Sequence, residues 1–190
     1  GGSMGTSSWG TAVVKACRLL RAGQTDVSVD TSEDADAGEP LSKHAFGAQF
    51  AEVHVDVDTG EVRVPRLVGV FACGRIINPK TARSQFIGGM TMGVSMALLE
   101  ETLLDTQLGA YVNHDLAMYH VATNADIDEI DVTWIDEEDL HASPMGSKGI
   151  GEIGIVGTAA AVANAVYNAT GVRVRDLPIT PAKLVGRLSA

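Results

Sequence analysis

Cysteine, aromatic residues and positive charge are all scarce in this chain, and each scarcity removes a class of function. Only 2 of its 190 residues are cysteine. Cys17 and Cys73 form no Cys-x-x-Cys pair and match no zinc spacing, which excludes a disulfide framework and a structural zinc centre. Two unpaired cysteines read as buried, reduced thiols, compatible with a reducing cytoplasm. Lysine and arginine number 14 against 24 acidic residues, for a net charge of −10. No basic cluster interrupts that balance, so neither a nucleic-acid footprint nor a polybasic membrane patch is expected. No apolar run is read as long enough for a membrane span, and the first residues lack the regions of a signal peptide. The five histidines (His44, His54, His114, His120, His141) follow no metal-binding spacing, and each reads as structural.

Glycine is plentiful: 21 residues, concentrated most tellingly in Gly146-Ser147-Lys148-Gly149-Ile150-Gly151-Glu152-Ile153-Gly154-Ile155-Val156-Gly157. Glycines allow tight turns and close approach to a ligand, and a helix start offers free N–H groups to anions. One carboxylate, Glu152, stands among them. On the residues alone two readings stay open: a helix cap that complements the dipole, or a proton-handling group beside a ligand. Gly149, Gly151 and Gly154 also fit the dinucleotide fingerprint G-x-G-x-x-G. That fingerprint requires a buried strand before it and an acid about twenty residues on. Residues 139–145 read as a loop, which leaves a nicotinamide-binding reading weak.

The rest of the chain reads as α+β, antiparallel hairpins with packed helices. A small-residue loop over 1–8 leads into a helix from Trp9 to Leu20 capped by Ser8. Residues 23–43 form an acidic linker, and 44–190 the main body of one unit. A hairpin runs from Phe50 to Phe71 around Asp58-Thr59-Gly60, with Asp56 and Asp58 as turn formers. Asn78 or Pro79 opens a helix reaching about Glu101. Its glycines Gly88, Gly89 and Gly93 imply a close neighbour, and Met90, Met92 and Met96 read as core fillers. A second hairpin (103–113), a strand (126–135), an alanine-rich helix (156–167) and a short helix over Pro181–Leu188 capped by Thr180 complete the pattern.

Ordered across nearly the whole chain are Gly2-Ser3-Met4-Gly5-Thr6-Ser7-Ser8, Phe46-Gly47-Ala48-Gln49-Phe50-Ala51-Glu52-Val53, and Gly74-Arg75-Ile76-Ile77-Asn78-Pro79 through Gln85 to Gly88-Gly89. Then come Val112-Asn113-His114-Asp115-Leu116, Lys148 to Gly154 and Gly171 to Pro178. In this set the chain resembles the C-terminal part of the molybdenum-cofactor large subunit of the xanthine dehydrogenase/aldehyde oxidase family, nearest the bacterial aldehyde dehydrogenase and isoquinoline oxidoreductase-like type.

The resemblance implies oxidation of an aldehyde or an N-heterocycle such as xanthine, with water as oxygen source and Glu152 as general base on a molybdenum-bound hydroxyl. It implies a molybdenum–molybdopterin cofactor in cytosine dinucleotide form, held through the pterin, so that the protein supplies no metal ligand. Gly2, Ser3, Gly5, Thr6, Ser7, Ser8, Gln85, Gly149, Ile150 and Gly151 are the cofactor-binding candidates it points to, with Lys148 read as solvated. Its partners would be the remainder of the large subunit and iron–sulfur and FAD subunits. On this reading the chain is one part of a larger subunit and inactive alone, with an apolar face exposed that favours self-association. A non-catalytic assembly module of the same fold is the alternative.

Overall fold

The computed structural model describes Ser3, residues 5–32 and residues 41–188. Gly2, a cofactor-site candidate, and the middle of the acidic linker lie outside the described residues. A three-stranded sheet forms the centre. Strand β1 (Phe46–Val55) pairs antiparallel with β2 (Val62–Ala72). The turn between them is fixed by Asp56, whose carboxylate accepts N–H bonds from Asp58 and Thr59, and by Gly60 at φ 74°.

The third strand, β5 (Glu129–Trp134), runs parallel to β2, not antiparallel as hairpin logic would have it. The intervening crossover carries α2 (Pro79–Leu98) and a minor ribbon, β3 (Leu104–Asp105) with β4 (Ala110–Tyr111). Parallel pairing requires such a long connection. In the Val112–Leu116 motif Asn113 is structural: its side chain accepts from the Leu103 N–H at 2.9 Å and donates to the Glu101 carbonyl.

α2 begins where Asn78 accepts N–H bonds from Lys80 and Thr81, with Pro79 at its first position. It packs on β2 and β5, while α4 (Thr158–Thr170) packs on β1 and on α2. Phe71 and Phe86, both fully buried, stack at 4.3 Å between centroids. Leu67, Met90, Val94, Val162, Val166 and Leu184 complete the core. The final helix, α5, spans Pro181–Leu188, and the Thr180 carbonyl accepts the Lys183 N–H at its start.

Two of the three glycines of α2 have the close neighbour their presence implied; Gly88 faces open space. A Cβ on Gly89 would stand 2.9 Å from the Ile155 backbone, and one on Gly93 would collide with Thr158. The short helix α3 (Ile153–Val156) therefore lies directly on α2. Of the three methionines of α2, Met90 is buried, but Met92 and Met96 are exposed and fill no core gap. The stretch Ile153–Thr170 is apolar and long enough to cross a membrane, contrary to the expectation from sequence. It is broken at Gly157 and packs on α2 and β1 as two consecutive helices.

The N-terminal helix, α1 (Gly5–Arg21), departs furthest from expectation. It begins before Trp9, so Thr6, Ser7 and Ser8 belong to its first turns and Ser8 is not its cap. It docks by a small polar face: Ser7 and Thr11 are its buried residues, and a Cβ on Gly10 would meet Met145. The apolar residues Trp9, Val13 and Leu20 point to solvent, and Cys17 is exposed with them, whereas Cys73 is buried as expected.

Candidate functional site

Two cavities flank the N-terminal half of α2 and share Gln85 and Gly151 as walls. The first, about 280 Å³, is lined by Ser3 and Thr6 from the α1 end and by Arg75–Asn78 from the segment after β2. Thr81, Ala82 and Gln85 of α2, and Ser147, Lys148, Ile150 and Gly151, close it. The second, about 470 Å³, is lined by Ser84, Gln85, Gly88, Gly89 and Met92 of α2, together with Gly151, Glu152, Ile155 and Val156.

Of the cofactor-site candidates, Ser3, Thr6, Gln85, Ile150 and Gly151 converge on the first cavity, from segments more than 140 residues apart in the chain. The approach is close: a Cβ on Gly151 would collide with the Ser3 hydroxyl, and Ser3 sits at φ 55°, a left-handed conformation uncommon outside glycine. Gly5, Ser8 and Gly149 are not among the walls. Ser7 is turned inward, its hydroxyl 3.1 Å from that of Ser147. Ser147 in turn shares hydrogen bonds with Ser143, so this group of hydroxyls joins α1 to the glycine-rich segment.

Glu152 stands at the start of α3, where a cap would be, but its side chain makes no cap hydrogen bond. Among the described residues its carboxylate has no hydrogen bond or ion pair; it is exposed and faces the second cavity. Glu152 thus holds the N-cap position of α3 without closing a side-chain cap. What positions it is Gln49, which donates to the Ile153 and Gly154 carbonyls at 3.1 and 3.0 Å and accepts from the Thr158 hydroxyl at 2.5 Å. Gln49 thereby pins α3 from the sheet side. Its local setting, an alternating strand, gave no sign of this task.

Lys148 is not solvated. Its side chain is 8% exposed, and its ammonium lies 3.1 Å from both Glu137 and Asp139. Burial alone would lower its pKa; the hydrogen bonds to Asp139 and Glu137 outweigh burial and hold it above the ordinary lysine value. Glu137 is held below the ordinary carboxylate range by the Gly74 N–H and by Lys148, and Asp139 by Lys148 first. Nearby, burial pushes the Cys73 thiol up to about 11. With Lys148 compensated by two carboxylates, Arg75 is the exposed cation at the first cavity, 58% open and 3.7 Å from Glu138. Isolated cations carry no signal of which one will be compensated by the fold, so sequence reasoning passed over Arg75.

Among the described residues no group of three His, Cys, Asp or Glu side chains is placed to hold a metal ion. The walls of the first cavity offer hydroxyls, the Gln85 and Asn78 amides, backbone and the Arg75 guanidinium instead. Those groups suit an organic anion with hydrogen-bonding edges.

Residues 23–128 match the model of the molybdopterin cofactor-binding domain. The chain is 53% identical over 162 residues to the aldehyde oxidoreductase molybdenum-binding subunit PaoC of Escherichia coli, covering 83% of this chain and 22% of that protein. It is 37% identical over 140 residues to the xanthine dehydrogenase molybdenum-binding subunit of Escherichia coli O157:H7, covering 74% of this chain and 18% of the relative. The chain therefore spans about a fifth of the length of these curated relatives. The crystal structure of the aldehyde oxidoreductase from Desulfovibrio desulfuricans superposes with a TM-score of 0.80 at 25% identity, over 98% of this chain and 23% of that one. The chain belongs to the molybdopterin cofactor-binding domain family, within the xanthine dehydrogenase/aldehyde oxidase group of molybdenum-dependent oxidoreductases.

Proposed function

We propose that these residues form one side of a molybdenum-cofactor site in an oxidoreductase that oxidises an aldehyde, with Glu152 as the general base. The observation that carries this reading is the shared wall. The cofactor candidates Ser3, Thr6, Gln85, Ile150 and Gly151 line one cavity, and Glu152 faces the next across Gln85 and Gly151. The cofactor, in cytosine dinucleotide form, would supply the two-electron redox centre. It fits the first cavity on the chain's own chemistry: the Gln85 amide for the pterin edge, and the Ser3 and Thr6 hydroxyls with Arg75 for anionic groups. Gly151 lets backbone approach where a side chain would block.

Glu152 accepts the proton of the water-derived oxygen that is passed to the substrate. Its carboxylate is not consumed by capping, and Gln49 holds α3 so that it faces the cavity. Met92, Ile155 and Val156 give that cavity apolar walls suited to a small apolar or aromatic substrate. An aldehyde is favoured over a purine because the relative at 53% identity is an aldehyde oxidoreductase subunit, against 37% for the xanthine dehydrogenase subunit. Electrons would leave to iron–sulfur and FAD partners.

The chain would act together with the remainder of a large subunit, inactive and without cofactor alone. The exposed Trp9, Val13 and Leu20 of α1 supply an apolar face for that remainder, or for a second copy of the chain when it is absent. Molybdenum and pterin content tests this directly, first on the chain alone and then after co-expression with the complementary portion. Metal only in the mixture supports the reading. Metal in neither turns it toward a structural module.

A further inference from the structure

The Lys148–Glu137–Asp139 cluster touches neither cavity with a free charge, yet it lies where three segments of the site meet. Glu137 binds the Lys148 ammonium at 3.1 Å and the Gly74 N–H at 2.7 Å through the same oxygen. Asp139 binds the ammonium at 3.1 Å and accepts the His141 and Ala142 N–H groups that shape its own turn. Main-chain bonds follow the same path: the Lys148 N–H to the Cys73 carbonyl, and the Arg75 and Asp139 N–H groups to the Gly146 carbonyl. Gly74 and Ser147 form an isolated antiparallel bridge between them.

We propose that Lys148 is a positioning residue: with Glu137 and Asp139 it clamps the end of β2 to the glycine-rich segment and so sets the width of the first cavity. Three observations carry this. Residues immediately beyond the clamp on both arms, Arg75–Asn78 on one and Ile150–Gly151 on the other, line the same cavity. The ammonium is buried between two carboxylates that keep 29% and 28% of their surface in water, so it is committed to them and not offered to a ligand. The arms lack regular structure of their own; residues 135–148 between β5 and the glycines hold only turns and a single bridge residue. A few main-chain bonds and the Gly74–Ser147 bridge run along this seam, and the charge cluster is the side-chain tie that joins Glu137 and Asp139 to it. The inference rests on the first cavity being the cofactor site.

Positioning groups behind a site typically change affinity or activity by 10–100-fold. The test uses the complete molybdenum-loaded protein and the variants Lys148→Met, Lys148→Arg, Glu137→Ala and Asp139→Ala. Lys148→Met is expected to speed cofactor loss on dialysis by about tenfold or more and to lower kcat with little change in KM. Lys148→Arg, whose guanidinium can reach both carboxylates, should restore most of both. Glu137→Ala should exceed Asp139→Ala, because the N–H bond it loses, to Gly74, joins the two arms, whereas those of Asp139 to His141 and Ala142 lie within its own turn. Hydrogen exchange at the Arg75 and Lys148 amides reads the clamp without reference to cofactor, and should quicken in Lys148→Met and in both alanine variants. Wild-type cofactor retention and unchanged exchange in a folded Lys148→Met would overturn the proposal, as would Lys148→Arg behaving like Lys148→Met. If Lys148→Met does not fold, Asp139→Ala decides: wild-type exchange and retention there overturn the clamp. Absence of molybdenum from the wild type would sink the cofactor reading and leave the exchange result to judge the clamp.

Discussion

Lys148 and Glu152 stand four residues apart in one glycine-rich segment, and the fold treats them in opposite ways. Lys148 is buried between two carboxylates, and its half of the segment is tied to β2, to the loop after β5 and, through Ser147 and Ser7, to α1. Glu152 is exposed, has no partner among the described residues, and faces a cavity. A charge already neutralised by neighbours holds structure; one left without a partner beside a cavity is available for chemistry. Charge type gave no hint of this division, because it depends on what residues 137 and 139 bring from elsewhere.

Opposite substitutions should separate the two halves. Glu152→Gln keeps the shape and removes the proposed base, and kcat should fall by about 10²–10⁴-fold, the range for losing a general base. Glu152→Asp should lose on the order of 10²-fold through misplacement of the carboxylate. Steady-state kinetics beside thermal melting checks both; the melting temperature should hardly move. Lys148→Met, beside its effect on cofactor retention and kcat, should also destabilise the fold, by about 1–3 kcal/mol. That is below the cost of breaking a fully buried pair, because both carboxylates retain contact with water. Chemical denaturation measures it.

Between these two, Gly151→Ala tests the shared wall. The new methyl meets the Ser3 hydroxyl, and crowding of that kind costs about 1–3 kcal/mol where nothing can yield. The expected outcome is lost cofactor content in a chain that still folds, read by molybdenum analysis.

The clamp also gives stability a pH signature. Glu137 and Asp139 have pKa values lowered in the folded chain, so their contribution is complete above the ordinary carboxylate values near 4 and is lost as pH falls through the folded ones. Lys148 is raised, so its contribution is complete below the ordinary lysine value near 10.4 and lost as pH climbs through the folded one. Denaturation at pH 7 and pH 3 should show a larger drop for wild type than for Lys148→Met. The smallest effect concerns the thiols. Cys17 is exposed, whereas Cys73 is buried and pushed up to about 11, so one thiol per chain should alkylate at neutral pH in the native state. Two reactive thiols would mean that the β2 end of the clamp opens.

Local signals explain which parts were legible in the sequence. The Asn78-Pro79 helix start, the Asp56–Gly60 turn and the Thr180-Pro181 start are written in residues that act on their own neighbours, and each stands where expected. Gly89 and Gly93 of α2 correctly announced close neighbours, though not that these would be α3 and the start of α4, and Gly88 has none. The parallel pairing of β5 on β2 was not legible, because it is set by the crossover through α2 and not by the strand itself. Nor was the early start of α1. Gly-Thr-Ser-Ser is a poor helical opening by propensity, and it is held by the Ser7–Ser147 contact across 140 residues. The outward turn of Trp9, Val13 and Cys17 follows from the same docking. For the site, Ser3, Thr6, Gln85, Ile150 and Gly151 come together at one cavity, while Gln49, Arg75 and the burial of Lys148 depend on distant partners.

On the proposed function, Glu152 serves the reaction and not the fold or the cofactor. Molybdenum content and kcat measured on the same preparation of the complete protein, wild type against Glu152→Gln, test it most directly. Equal molybdenum with a rate lower by at least about 10²-fold is the predicted result. Equal rates, or a rate loss matched by an equal loss of molybdenum, would contradict it.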